Sequence, residues 1–129
     1  MGIFSRKKIL KLYLNGEITS STSKISGDNS VPKLKSSLLE VKQKNKDDYK
    51  GILLKINSPG GEAATSEELA KLVFSLRETV PVVTSIGDSA CSGAYMIAAA
   101  SNYIFANTLS WTGSIGVIML LRNYQELSK

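Results

Sequence analysis

Ser92 stands where the small-residue stretch "GDSACSG" (residues 87–93) runs into the alanine-rich pattern "GAYMIAAA" (93–100). A serine on the turn entering a helix suits nucleophilic chemistry. The helix N-terminus offers unpaired N–H groups and a partial positive charge, and both stabilise an alkoxide or a tetrahedral oxyanion. Gly93 follows directly and is able to turn its N–H toward that oxyanion with no Cβ in the way. A second glycine-bearing stretch, "NSPGG" (57–61), supplies another backbone donor, for which Gly61 is chosen. Acyl transfer requires two donors aimed at one point, and one such donor is worth about 3 kcal/mol of barrier. The same residues also read as tight turns, with glycine for backbone reasons and serine for capping. Spacing alone leaves both readings open.

The chain contains no histidine. A Ser-His-Asp triad is therefore excluded, as is a Cys-His pair around Cys91. The remaining base is a lysine whose amine is kept neutral by burial, because desolvation lowers a lysine pKa by several units. Lys55 sits in the apolar stretch before "NSPGG", and Lys71 lies among exposed helix positions. Both read better as solvated or ion-paired lysines than as a base. The lone Cys91 excludes an internal disulfide and a cysteine-cluster metal site. No metal and no cofactor are expected.

These candidates need elements to hold them. "KILKLYLNGEI" reads as a strand over 9–14, a turn at Asn15-Gly16 and a short extended piece. The polar "TSSTSKISGDNS" reads as a loop. Ser30 then suits an N-cap, with Pro32 at the first helical position. Leu34, Leu38 and Val41 recur at helical spacing, and "KNKDDYKG" ends that helix. "ILLKI" (52–56) has the near-continuous apolar pattern of a strand buried on both faces. Thr65 and Glu68 form a capping-box pattern ahead of Leu69, Leu72, Val73 and Leu76, and Pro81 ends the helix. "VVTSI" (82–86) is another buried strand, followed by the "GDSACSG" loop and a helix to about residue 101. "YIFA" (103–106) reads as a strand, "SWTGSIGVIMLL" contains another, and "NYQELSK" is helix-like. Strands alternating with helices predict an α/β fold with a parallel-rich sheet of β-α units. Parallel neighbours bring both glycine-bearing loops to the same carboxyl edge.

Composition bounds the rest. Residues 1–129 are expected to form a single domain; the chain is 43% hydrophobic and 21% charged, a soluble globular profile. Residues 1–50 carry 11 of the 16 basic and 5 of the 11 acidic residues, a net +6, against −1 for the remainder. Such an excess favours an anionic membrane surface or an acidic partner, or simply makes a solvated lysine-rich face. No basic stripe interleaves with aromatics, so nucleic acid is not an expected partner. The opening "MGIFSRKKILKLYLNG" is too short and too lysine-broken for a signal or transmembrane segment. A cytoplasmic or peripherally membrane-associated location is expected.

Three blocks in order, "LLKINSPGG" (53–61), "VVTSIGDSACSGAYMIAAASNYIFAN" (82–107) and "TGSIGVIM" (112–119), resemble the signal peptide peptidase A (SppA) family of serine peptidases. The resemblance covers roughly residues 9–127. It implies a ClpP/crotonase-like α/β fold and cleavage of peptides, typically leftover signal peptides, by a Ser-Lys dyad. The family nucleophile falls on Ser92 and the oxyanion donors on Gly61 and Gly93. The family base is a lysine several tens of residues beyond "TGSIGV", past Lys129, so the chain is expected to be C-terminally incomplete. Homo-oligomeric rings and peptide partners are implied as well. Cys91 stands where the family usually has alanine, and Ser114 reads as a structural turn residue near the site. Two alternatives stay open. One is a catalytically incomplete homologue acting as an assembly or regulatory subunit. The other is a crotonase-type acyl-CoA enzyme that places the two glycine N–H groups on an enolate.

Overall fold

The computed structural model describes residues 7–21, 30–43 and 46–123. Residues 22–29 of the expected loop and 124–129 of the helix-like run lie outside the described residues.

Four strands pair in parallel in chain order: β1 (Lys8–Asn15), β2 (Tyr49–Ser58), β3 (Val82–Cys91) and β4 (Tyr103–Ala106). A short β5 (Trp111–Gly113) continues along the same edge of β3 beyond β4. Three helices connect the strands: α1 (Ser30–Gln43), α2 (Ala63–Leu76) and α3 (Gly93–Ala99). Sequential parallel order with right-handed crossovers puts all three helices on one face of the sheet. Burial follows that rule. Leu12, Leu14, Ile52, Leu54, Ile56, Val82 and Ile86 are buried beneath the helices. They meet Leu34, Leu38 and Val41 of α1, Leu69, Val73 and Leu76 of α2, and Ile97 of α3.

The expectation of strands buried on both faces fails for "ILLKI". β2 alternates: Ile52, Leu54 and Ile56 are buried, whereas Leu53 is half-buried and Lys55 exposed. An apolar run cannot report which face a helix will cover, and here only one face is covered among the described residues. Three boundaries also move. β3 runs on to Cys91, so most of the expected "GDSACSG" loop is strand. α2 begins at Ala63, ahead of the expected capping box, with Glu62 as N-cap. Glu68 instead pairs with Lys35 of α1 at 2.7 Å. The end of α2 comes at Leu76, well before Pro81, where the Thr79 and Val80 N–H groups both close onto the Leu76 carbonyl. Ser30 is the first residue of α1, and its hydroxyl is tied to the Asn15 backbone at 2.9 and 3.2 Å. Pro32 therefore falls inside the first turn, where a missing N–H costs nothing.

Candidate active site

Both glycine-bearing turns leave the carboxyl ends of adjacent strands. The last rung between β2 and β3 pairs Ser58 with Ala90. Three residues past that rung on one side is Gly61, and two past it on the other is Ser92. The turns touch: a Cβ built on Gly60 would lie 2.7 Å from the Cys91 carbonyl oxygen, 2.9 Å from the Ser92 Cβ and 3.2 Å from the Gly93 nitrogen. Gly60 has φ of +100°, a conformation that L side chains rarely adopt. Glycine is thus required here twice over, by backbone and by space.

Ser92 has φ 52° and ψ −124°, a positive-φ conformation uncommon for a residue with a Cβ. Three restraints over-determine it. Its N–H donates to the Gly113 carbonyl at the end of β5 at 2.7 Å, its carbonyl accepts the Met96 N–H at 3.1 Å, and β3 feeds it from behind. Such strain of roughly 1–3 kcal/mol persists only where the surroundings hold it. The Ser92 hydroxyl makes no hydrogen bond among the described residues. It opens onto a cavity of about 690 Å³ shared with Gly61, Gly93, Tyr95, Met96, Ile115 and Val117.

The backbone donors sort themselves. The Gly60 N–H is taken by the Ser58 hydroxyl at 3.1 Å, a short turn bond that sequence reading missed although serine two residues ahead of a glycine is its signature. The Gly61 and Gly93 N–H groups carry no partner among the described residues. Gly61 lies so close to Ile18 that a Cβ would fall 2.1 Å from its carbonyl oxygen. At Gly93 the space is closed by Ser66 of α2, whose Oγ would sit 2.1 Å from an added Cβ. Glycine at 93 therefore answers to helix–helix packing. Ser66 was not legible in advance, because the approach of α2 to α3 is not written in either helix.

Glu62, next to Gly61, accepts the Ser20 N–H at 2.8 Å and the hydroxyls of Thr65 at 2.9 Å and Thr19 at 3.1 Å. The Ser20 backbone N–H, followed by side-chain hydrogen bonds from Ser20, Thr65 and Thr19, pulls its carboxyl down from the ordinary 4.5 to about 2. The carboxylate thereby binds the 18–21 segment to the first turn of α2.

The remaining candidates lie apart. Lys55 is exposed on the uncovered sheet face, and Lys71 is exposed and paired with Glu67 at 2.7 Å. Neither lines the Ser92 cavity. Ser114 has φ 49° and is exposed beside Cys91 in a separate shallow depression. The Cys91 thiol points to the Trp111 carbonyl at 3.6 Å. No group of three or more potential metal ligands exists among the described residues, and no helix there is long and apolar enough to cross a membrane.

Comparison with known proteins agrees with this architecture. Residues 75–129 match the model of peptidase family S49. The protein MJ0651 of Methanocaldococcus jannaschii is 41% identical over 133 residues, which cover 98% of this chain and 42% of that protein. The chloroplastic serine protease SPPA of Arabidopsis thaliana is 37% identical over 81% of this chain and 15% of its own length. The chain thus spans less than half the length of these relatives. Among solved structures, a mutant of the 1510-N membrane-bound stomatin-specific protease superposes with a TM-score of 0.70 at 18% identity, covering 92% of this chain and 52% of that one. A ClpP1 mutant from Listeria monocytogenes follows at 0.54 and 16% identity, over 70% of this chain and 46% of that one. The fold is accordingly ClpP-like, and with its glycine turns, its strained serine and these relatives the chain belongs to peptidase family S49.

Proposed function

We propose that this chain carries the nucleophile and the oxyanion donors of a serine endopeptidase working by a Ser-Lys dyad. The Ser92 Oγ attacks the peptide carbonyl carbon. Its proton passes to the neutral amine of a lysine beyond residue 129. The oxyanion is received by the Gly61 and Gly93 N–H groups. The C–N bond then breaks, the lysine returns the proton to the leaving amine, and water hydrolyses the acyl-enzyme by the same route.

The observation that carries this reading is the contact between the two turns. A strained serine with an unpartnered hydroxyl faces a cavity whose rim also holds two glycines with unpaired N–H groups, all among the described residues. An acyl-CoA enzyme would use the donors but has no need of the strained serine. The cavity wall is mainly apolar, with Met96, Ala99, Ile115, Val117 and Ile118, which favours hydrophobic peptides such as spent signal peptides. A solved neighbour, the 1510-N protease, carries a substrate peptide in one of its structures. Residues 1–129 are read as one peptidase domain acting within a homo-oligomer, cytoplasmic or peripheral to the membrane.

The test uses the full-length gene product. Wild-type protein is expected to cleave hydrophobic peptides and to be labelled by a fluorophosphonate at Ser92. Ser92→Ala is expected to abolish both with an unchanged circular dichroism spectrum. Labelling of the alanine variant to the wild-type level refutes Ser92 as the nucleophile.

A further inference from the structure

Between the rungs Ile56–Ile86 and Ser58–Ala90, β2 advances two residues while β3 advances four. At about 3.3 Å per residue, β3 must fold roughly 13 Å of chain into a span of roughly 7 Å. The surplus is a bulge at Gly87, Asp88 and Ser89. A bulge leaves backbone groups without ladder partners, and a slip of one residue would turn every later side chain to the opposite face. Ser92 is only three residues further on. Something must fix the offset.

Side chains do so. The Asn57 amide oxygen accepts the Ser89 N–H at 3.1 Å, and its NH2 group donates to the Asp88 carboxylate at 3.3 Å. On the other side the Ser110 hydroxyl donates to the Gly87 carbonyl at 2.6 Å and accepts the Asn107 N–H at 3.0 Å. Gly87 packs directly beside Asn57: a Cβ there would come 3.4 Å from the Asn57 Cβ, an ordinary van der Waals contact.

We infer that Asn57 is a positioning residue whose side-chain amide replaces the missing ladder rung across the β3 bulge and so sets Ser92 against Gly61. For catalysis this rests on the Ser92 reading proposed above. The hold on the bulge itself does not. Asn57 does not line the Ser92 cavity. It acts through Ser89 and Asp88 on the two residues that precede the nucleophile.

Three variants of the full-length product test this: Asn57→Ala, Asn57→Asp, and Asn57→Asp combined with Asp88→Asn. The first removes both bonds. The second sets two carboxylates side by side. The double variant rebuilds the pair in reverse: the carboxylate, now at position 57, accepts both the Ser89 N–H and the amide NH2 newly placed at position 88. The single variants should lose roughly 100-fold in kcat and in fluorophosphonate labelling rate, the scale of a misplacement near 1 Å, with KM nearly unchanged. The double variant should recover most of that loss, a recovery that general damage to the fold would not produce. Hydrogen exchange gives a readout independent of catalysis. The Ser89 amide should lose protection in Asn57→Ala and regain it in the double variant, while Ile52–Ile56 stay protected throughout. Unchanged Ser89 exchange in Asn57→Ala overturns the inference, as does a double variant no better than Asn57→Asp. Should Asn57→Ala fail to fold, the comparison of Asn57→Asp with the double variant decides. Absence of labelling in the wild type would count against Ser92 alone, and the exchange data would still judge Asn57.

Discussion

Ser92 and Gly60 share one small volume, and each constrains the other. A methyl group on Gly60 would press on the Cys91 carbonyl and the Ser92 Cβ. Gly60→Ala should therefore cost about 1–2 kcal/mol for the left-handed backbone and about 1–3 kcal/mol for the overpacking. Denaturant melts read the stability loss. Peptide cleavage should fall further than stability, because the displaced atom is the Cβ of Ser92, the proposed nucleophile; equal activity in the folded variant would refute the contact. Glu62 acts at the same scale through charge. Its folded-state pKa is lowered, so its contribution is fully present above the ordinary 4.5 and is lost as pH falls through about 2. Glu62→Gln should melt below the wild type at pH 6, and the gap should close as the pH approaches 2. A gap independent of pH would mean that the carboxylate charge is irrelevant.

At the scale of elements, α2 and α3 meet where Gly93 faces Ser66. Gly93→Ala should destabilise by about 1–3 kcal/mol through overpacking, while its effect on the N–H direction is small. Adding Ser66→Gly reopens the space. The double variant should unfold at higher denaturant than Gly93→Ala alone, although glycine in a helix costs about 1 kcal/mol by itself. Additive losses would show that the two helices do not meet there. Element types were largely legible beforehand. The spacing of Leu34, Leu38 and Val41 and of Leu69, Leu72, Val73 and Leu76 marks both long helices, and all of these residues are buried. Ends were less legible. The extension of β3 through Gly87, Asp88 and Ser89 contradicts local propensity, since these residues favour turns. Bonds from Asn57 and Ser110, distant in sequence, hold them in the strand.

At the scale of the molecule, the helices cover one face of the sheet and leave other apolar surface in water. Leu109, Trp111, Ile115, Val117 and Leu120 are 78–90% exposed, and all four residues of the edge strand β4 are exposed. Apolar side chains left in water favour association, and β4, which has no second strand neighbour among the described residues, adds backbone groups to that surface. The protein should self-associate at micromolar concentration in light scattering after gel filtration. Val117→Lys with Leu120→Lys should shift it toward the monomer. A wild-type monomer at every concentration would refute the proposed homo-oligomer.

Family, fold class, helix faces and the "NSPGG" turn were legible in the sequence alone, because periodicity and short motifs are local properties of the chain. The absence of histidine from residues 1–129 likewise means that none of these residues supplies an imidazole base. Tertiary structure decided which face of the sheet is covered, that Ser66 demands the glycine at 93, and that Asn57 spans a bulge between rungs. These are contacts between segments 27–32 residues apart. They depend on strand register and helix approach, which arise only when the elements pack.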